Sequence, residues 1–322
     1  MGGKLMLEVR RLGKIFSLSN GRRIRAVNNV SLLAEENEIL GIVGESGCGK
    51  STLGRLILRL VEPSSGQIFF RDKEISHISQ KSLRPMRRNM QMIFQNPFAS
   101  FNPKIRIGRA LAEVCRYYGM NAGESRDRIK NLLADMSMAE DLLYHWPREL
   151  SGGQLQRLAI VRALLSEPYL IIADEPLSSL DVSVQAQLLN LLEQMRKTRS
   201  MVMIFISHNM TVVEYLCDRT AVMYMGSIME LVSSSELRLN ALHPYTRSLR
   251  ASAPQLDVFK ARSGEEDASP VILKGETPNP LMQIHGCPFA MRCPEVMSRC
   301  KMDEPELLEV SAGHWVRCFR CT

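Results

Sequence analysis

The sequence predicts an α/β fold built on a mainly parallel sheet, and three observations predict it. The stretch Gly44-Glu45-Ser46-Gly47-Cys48-Gly49-Lys50-Ser51 matches the phosphate-loop pattern G-x-x-x-x-G-K-[ST]. It lies between an apolar run, 39–43, that reads as a buried strand and a segment, 52–60, that reads as a helix. Strand-like apolar runs then alternate with helical segments from residue 169 to about 232, the pattern of a largely parallel sheet.

Residues 5–33 read as antiparallel strands joined by the polar turn Ser19-Asn20-Gly21-Arg22. In the strand-loop-helix that follows, successive backbone N–H groups and a helix N-terminus face an anion. Lys50 would reach the β- and γ-phosphates of a nucleotide, and Ser51 would bind Mg²⁺. The nucleotide-binding candidates here are Gly44, Glu45, Ser46, Gly47, Cys48, Gly49, Lys50, Ser51 and Thr52. Residues 104–162 are largely helical and interrupt the alternation, suggesting a helical subdomain over about 104–165. Within it lies Leu150-Ser151-Gly152-Gly153-Gln154. Ser151 is a favourable N-cap, and two glycines let a phosphate approach the backbone. The helix expected over 155–165 would point its positive end at that anion. A second anion site on a chain that already has a phosphate loop implies a second nucleotide, shared with another chain. Tyr169 to Asp174 is an apolar strand, and it ends in Asp174-Glu175. Residues 201–206 form another apolar strand, followed by Ser207-His208.

The chain has 322 residues, enough for one large α/β domain and an appended part. Forty-one basic and 34 acidic residues give a net charge of +7, compatible with a membrane surface, a nucleotide or a nucleic acid. The densest basic cluster, Arg84, Arg87 and Arg88, is expected as a solvated helix face. No apolar stretch reaches the ~18 residues of a spanning helix, and the N-terminus has neither a signal-peptide core nor a myristoylation pattern. The expectation is a cytosolic chain whose membrane contact runs through partners. No internal repeat is visible. Residues 254–280 are rich in charge, Pro and Gly and read as a linker.

Of the eight cysteines, Cys48 lies in the phosphate loop, and Cys115 and Cys217 read as small buried residues on helices. The other five crowd the C-terminal end with the spacing C-x5-C-x6-C-x17-C-x2-C: Cys287, Cys293, Cys300, Cys318 and Cys321. Structural disulfides are not expected in a cytosolic chain, so the clustering points to metal. Zinc and a [4Fe–4S] cluster both remain open on spacing, since only Cys318 and Cys321 form a C-x2-C knuckle.

These segments, in this order, resemble the ATP-binding cassette (ABC) ATPases, whose signature motif is the Leu150 to Gln154 string. The resemblance implies a P-loop ABC core with an antiparallel β subdomain and a helical subdomain over residues 1–253. A linker and a Cys-rich domain would occupy 254–322. It implies that Asp174 holds Mg²⁺ together with Ser51 and Gln95. Glu175 would activate the attacking water, His208 would contact the γ-phosphate, and Gln95 would act with them. Ser151, Gly152, Gly153 and Gln154 would meet the opposing ATP. Asp181, in Ser178-Ser179-Leu180-Asp181, would lie on the loop crossing the dimer interface, and Phe16 would stack on adenine. None of these positions departs from the family pattern, so a competent ATPase is implied.

His243-Pro244-Tyr245-Thr246-Arg247, Gly275-Glu276-Thr277-Pro278-Asn279-Pro280, Gly286-Cys287-Pro288-Phe289 and Arg292-Cys293-Pro294 resemble, more narrowly, the ATPase subunits of oligopeptide, dipeptide and nickel importers. That branch implies a [4Fe–4S] cluster on Cys287, Cys293, Cys300 and Cys318, with Cys321 as an alternative fourth ligand. The implied partners are a pair of membrane permease subunits, a second identical or homologous ATPase, and, indirectly, an extracytoplasmic binding protein. The implied place is peripheral, on the cytoplasmic face of the membrane. Residues 96–101 would help receive a permease helix. Peptide is the leading cargo, with nickel, another metal complex or a sugar still open. The rival class, a soluble cassette ATPase acting on nucleic acid, calls for long coiled-coil insertions or tandem cassettes. Neither is present, so no nucleic-acid partner is expected.

Overall fold

The computed structural model describes residues 4–19, 21–178, 180, 182–198, 201–252 and 285–321. The chain opens with β1 (Leu5–Ser17), β2 (Arg23–Glu35), β3 (Ile39–Val43), α1 (Lys50–Ile57), β4 (Ser65–Phe70) and β5 (Lys73–Glu74). Next come α2 (Gln80–Leu83), β6 (Met90–Ile93), α3 (Ile107–Tyr117), α4 (Ala122–Asp135), α5 (Gly152–Leu164), β7 (Leu170–Asp174) and α6 (Val182–Thr198). Then follow β8 (Val202–Ser207), α7 (Met210–Leu216), β9 (Arg219–Tyr224), β10 (Ser227–Ser233), α8 (Ser234–Asn240) and α9 (Pro244–Ala251). After the undescribed stretch come a short helix, Ser298–Met302, and the strands β11 (Leu308–Ser311) and β12 (His314–Val316).

The elements gather into two compact units. The first is built mainly from residues 77–204. Its helices start where the sequence supplies caps: Asn121 and Glu124 form a capping box on α4, and Ser151 and Gln154 another on α5. α5 buries Leu155, Leu158, Ile160, Val161 and Leu164, so the helix is held by packing as well as by its cap. Strands β6 and β7 run parallel with Met90 opposite Leu170 and Ile93 opposite Ala173. Arg84, Arg87 and Arg88 lie on a 3-10 turn, Arg84–Asn89, rather than an α-helix. Pro85 at its start removes a backbone donor. The cluster is also less free than a solvated face: Arg84 donates to the Tyr117 hydroxyl at 2.9 Å, and Arg88 lies over the Tyr118 ring.

The second unit comprises residues 7–34, 39–76 and the chain after 204, and β8 carries the chain into it from the first. One sheet has the order β2-β1-β4-β5. The other runs β11-β12-β10-β9-β3 within this unit. β3 and β9 are parallel, and all five residues of β3 are buried, as the continuous apolar run requires of a strand covered on both faces. β9 and β10 form a hairpin through Met225 (φ 45°) and Gly226 (φ 81°), two left-handed residues that match the twist of the paired strands.

The linker expected over 254–280 lies outside the described residues, and the Cys-rich residues 285–321, expected as a separate part beyond it, continue this sheet. β12 pairs antiparallel with β10, Glu230 opposite Val316. His314 Nε2 lies 2.7 Å from Glu230 Oε1, and both side chains are buried. The same carboxylate accepts the backbone N–H groups of Leu242 and His243, at 2.8 and 3.1 Å. The Glu230 carboxylate therefore ties β10, β12 and the start of α9 together.

Candidate active site

The phosphate loop belongs to the second unit, between β3 and α1. α1 begins at Lys50 itself, two residues earlier than the sequence suggests. Gly49 has φ 108°, and a Cβ there would collide with the Ala26 carbonyl, so only glycine fits. Lys50 is buried, and its ammonium donates to the carbonyls of Gly44 (2.8 Å) and Glu45 (2.9 Å). Ser46 and Gly47 are exposed at the tip, and Ser51 and Thr52 are half-buried on the first turn. The loop thus presents backbone to solvent while holding its cation from behind. Cys48 is buried beneath it, and burial pushes its thiol up, so it stays protonated and plays the part of a small apolar residue.

Glu45 is held through both its backbone and its side chain. Its N–H donates to the Tyr245 hydroxyl at 3.0 Å. Its carboxylate accepts both Arg292 Nη1 and Nη2, at 2.7 and 3.0 Å. Neither partner was assigned a role from sequence. They lie 200 and 247 positions away, and no local pattern signals a contact at that distance.

Two other candidates lie in the same unit. Phe16, near the end of β1, is 37% exposed with Lys14 Nζ 5.0 Å from its ring centroid, so it is not a core phenylalanine. His208 is exposed directly after β8, where Asn209 caps α7 by accepting the Val212 N–H.

The first unit holds the paired carboxylates. Asp174 ends β7 and is buried, 2% exposed. The parallel register that sets Ile93 opposite Ala173 places Gln95 and Glu175 each two residues beyond that pair. Gln95 Nε2 donates to Glu175 Oε2 at 2.9 Å. Glu175 has φ 46°, a left-handed conformation unusual for a side chain with a Cβ. The turn is closed by Ser178, whose N–H and hydroxyl both donate to the Glu175 carbonyl. Strained backbone held by its neighbours is typical of reactive positions. With Nε2 committed to Glu175, Gln95 retains an amide oxygen, and Asp174 offers carboxylate oxygens. Both are the hard donors that Mg²⁺ takes.

The signature segment is also in this unit. Ser151 N-caps α5: its hydroxyl accepts the Gln154 N–H (3.2 Å), and Gln154 Oε1 accepts the Ser151 N–H (2.9 Å). Ser151 is exposed, and Gly152, Gly153 and Gln154 are half-buried, so the helix start faces outward. At Gly153 a Cβ would come within 3.4 Å of Val184. Asp181 and the 275–280 motif lie outside the described residues.

Cys287, Cys293, Cys300 and Cys318 line one cavity of about 20 Å³, with His243 and Phe289. Burial pushes the Cys287 thiol up to about 11, and neighbouring sulfurs add to it. Cys321 is not in the lining. Its thiol donates to the Leu242 carbonyl, and its hydrogen bonding with Cys318 pulls the Cys318 thiol down to about 6. The donors suit a soft metal. The space does not suit a cluster, because such a cavity holds about one water. Among the described residues no group of three or more His, Cys, Asp or Glu is arranged to hold a metal ion, so the expected ligand set is not formed here.

Among the described residues, no helix is long and apolar enough to cross a membrane. Residues 27–178 match the family model described as ABC transporter, and 229–300 match the oligopeptide/dipeptide transporter C-terminal region. The oligopeptide transport ATP-binding protein AppF of Bacillus subtilis is 42% identical over 321 residues, 97% of this chain and 96% of its own. OppF of Escherichia coli, of the same description, is 40% identical over 329 residues, covering 99% of this chain and 97% of its own. The ATP-binding cassette MJ0796, solved as a dimer in a post-hydrolysis state with ADP and Pi, superposes with a TM-score of 0.66 at 26% identity over 71% of this chain and 99% of its own. The cassette cbiO1 of Clostridium perfringens, part of the transporter complex cbiONQ, gives 0.66 at 27% identity over 74% of this chain and 92% of its own. A phosphate loop, a buried strand ending in paired carboxylates and a capped signature helix thus occur together in a chain with full-length oligopeptide-transporter relatives, and this chain belongs to the ATP-binding cassette ATPases of the oligopeptide/dipeptide transporter branch.

Proposed function

We propose that the chain is the ATP-hydrolysing subunit of an oligopeptide/dipeptide importer, as the family matches and full-length relatives support. It works as one of a pair of cassettes, identical or homologous, that sandwich nucleotides and drive two permease subunits from the cytoplasmic face. The observation that carries the catalytic part is the Gln95–Glu175 hydrogen bond at the ends of two parallel strands. A carboxylate oriented by an amide, next to a buried Asp174, suits water activation beside a bound cation.

Lys50 supplies positive charge to the β- and γ-phosphates, and Ser51, Asp174 and Gln95 are the residues that would hold Mg²⁺. Bound there, Mg²⁺ supplies charge neutralisation for phosphoryl transfer. Glu175 takes the proton from the attacking water, and His208 orients the γ-phosphate. Phe16 supplies a face for adenine, and Asp181 serves the dimer interface. The exposed helix start at Ser151 to Gln154 is offered to the opposing cassette's ATP. Permease contact is assigned to residues 96–101, supported by the 3-10 turn that Asn96 caps and by Phe98, 49% exposed. A binding protein outside the membrane would deliver the cargo. Peptide is favoured by the names of the relatives, and nothing favours nickel or a nucleic acid. The [4Fe–4S] cluster read on Cys287, Cys293, Cys300 and Cys318 rests on four thiols that share a cavity, and that cavity does not hold it at its present volume.

The test is peptide uptake in cells lacking this chain, restored from a plasmid. The parent should restore ATP-dependent uptake of a labelled tripeptide. Glu175→Gln should restore none, yet the purified variant should still bind ATP, with turnover reduced roughly a hundredfold or more, the scale of a lost general base. Restored uptake by the variant, or no uptake defect in the deletion, overturns the reading.

A further inference from the structure

Every polar group of Glu45 is engaged. Its carbonyl accepts the Lys50 ammonium at 2.9 Å, its N–H donates to the Tyr245 hydroxyl, and its carboxylate takes a two-pronged grip from Arg292. The last two partners come from the C-terminal part of the second unit. The Arg292 and Glu45 side chains are only 7% and 18% exposed, so the pair is largely shielded from solvent. Two-pronged guanidinium–carboxylate pairs fix direction as well as distance. Tyr245 is fully buried, and burial raises its phenol, which keeps it neutral and able to accept the N–H.

Both partners are themselves set by one short loop. Between Cys287 and Cys293 the chain inserts Phe289, fully buried, against Tyr224, Tyr245 and His243, with ring centroids 5.4, 5.3 and 5.8 Å apart. Tyr224 and Tyr245 lie 4.7 Å apart, and Arg292 Nη1 reaches the Tyr224 hydroxyl at 3.5 Å. The loop therefore holds the phosphate loop by two routes. Arg292 acts directly on the Glu45 carboxylate, and Phe289 acts through Tyr245 on the Glu45 N–H.

We infer that Arg292 and Tyr245 are positioning residues for ATP, which clamp Glu45 and so hold the phosphate loop in its nucleotide-binding shape. A phosphate loop must keep its N–H groups aimed at the anion before the anion arrives, and preorganisation of that kind lowers the cost of binding. The Glu45 carboxylate, neutralised by Arg292, is also prevented from repelling the phosphates. The inference rests on ATP binding at this loop.

The experiment is a double-mutant cycle on the full chain, with Arg292→Gln, Glu45→Gln and the double variant. Titration with a fluorescent ATP analogue gives Kd, and hydrolysis gives KM and kcat. Each single variant should weaken Kd and raise KM roughly tenfold, the scale of a lost charge-assisted hydrogen bond, with kcat changed less than about twofold. The double variant should bind no worse than the weaker single one, because the two residues act as one contact. Arg292→Lys should recover part of the loss. Tyr245→Phe, which keeps the ring and removes the acceptor, should raise KM several-fold and serves if Arg292→Gln does not fold. Thermal unfolding distinguishes a staple from a positioning pair. A lowered Tm with Kd and KM within twofold of the parent overturns the inference, and so does additivity in the cycle. A parent that fails to bind the analogue overturns the ATPase reading instead.

Discussion

At the scale of single residues, several candidates owe their character to what surrounds them. Glu175 would be an ordinary surface carboxylate without its left-handed backbone and the Gln95 amide. His243 is a sharper case. Its ring caps α9 by accepting the Tyr245 N–H on Nδ1 at 3.0 Å. Burial, then the nearby Arg247 charge, lowers its pKa from 6.5 to about 3; Arg317 lowers it further by charge, while a hydrogen bond with the Arg317 backbone opposes the shift. The folded chain therefore refuses a proton that the unfolded chain accepts. Between about 6.5 and 3 the unfolded state binds more protons, so stability falls as pH falls through that window. The slope from this group approaches 1.4 kcal/mol per pH unit. His243→Asn keeps a cap acceptor without the titration. Denaturant midpoints measured from pH 7 down to pH 4 should fall more steeply for the parent than for this variant. Parallel curves would show that His243 does not contribute.

At the scale of elements, α5 shows how one helix terminus serves two ends. Its capping box is worth about 1 kcal/mol to the helix. The same geometry leaves Ser151 exposed at the positive end of a helix dipole. Ser151→Arg should therefore leave this chain's own phosphate-loop site intact while blocking the site it completes on a partner cassette. Monomer Kd for ATP should stay within about twofold of the parent, and hydrolysis by the assembled transporter should fall at least about tenfold. Loss of binding by the monomer would contradict a site shared between chains. β12 makes a different point about elements. It was read as part of a separate tail, yet it extends the sheet that contains β3, the strand leading into the phosphate loop.

At the scale of the whole molecule, the phosphate loop and the Cys-rich segment fall within one compact unit. Changes among the cysteines should therefore be felt at the nucleotide, contrary to the independence that a linker suggests. If the four thiols take up a [4Fe–4S] cluster, anaerobically purified protein should be brown and contain iron, and Cys293→Ser should bleach it. Through its neighbour Arg292, the same variant should weaken ATP binding several-fold even in metal-free protein. Cys321→Ser should leave any iron in place, because Cys321 lies outside the cavity lining. Colourless parent protein containing zinc and no iron would end the cluster reading, and unchanged ATP affinity in Cys293→Ser would end the coupling.

The sequence by itself determined the α/β class, the phosphate loop, the signature segment and the strand carrying Asp174. These are local: glycine spacing, cap residues and apolar runs act over a handful of neighbouring positions. Their boundaries shifted by two or three residues, as with α1 starting at Lys50 and α5 at Gly152. Only the tertiary structure decided that Gln95 meets Glu175, since the register of β6 on β7 makes that pair across 80 positions. It alone showed Phe16 exposed, four cysteines sharing one small cavity without Cys321, and Arg292 and Tyr245 holding Glu45. Contacts between residues 200 or more positions apart depend on which strands pair and which faces bury, and no local periodicity encodes that choice.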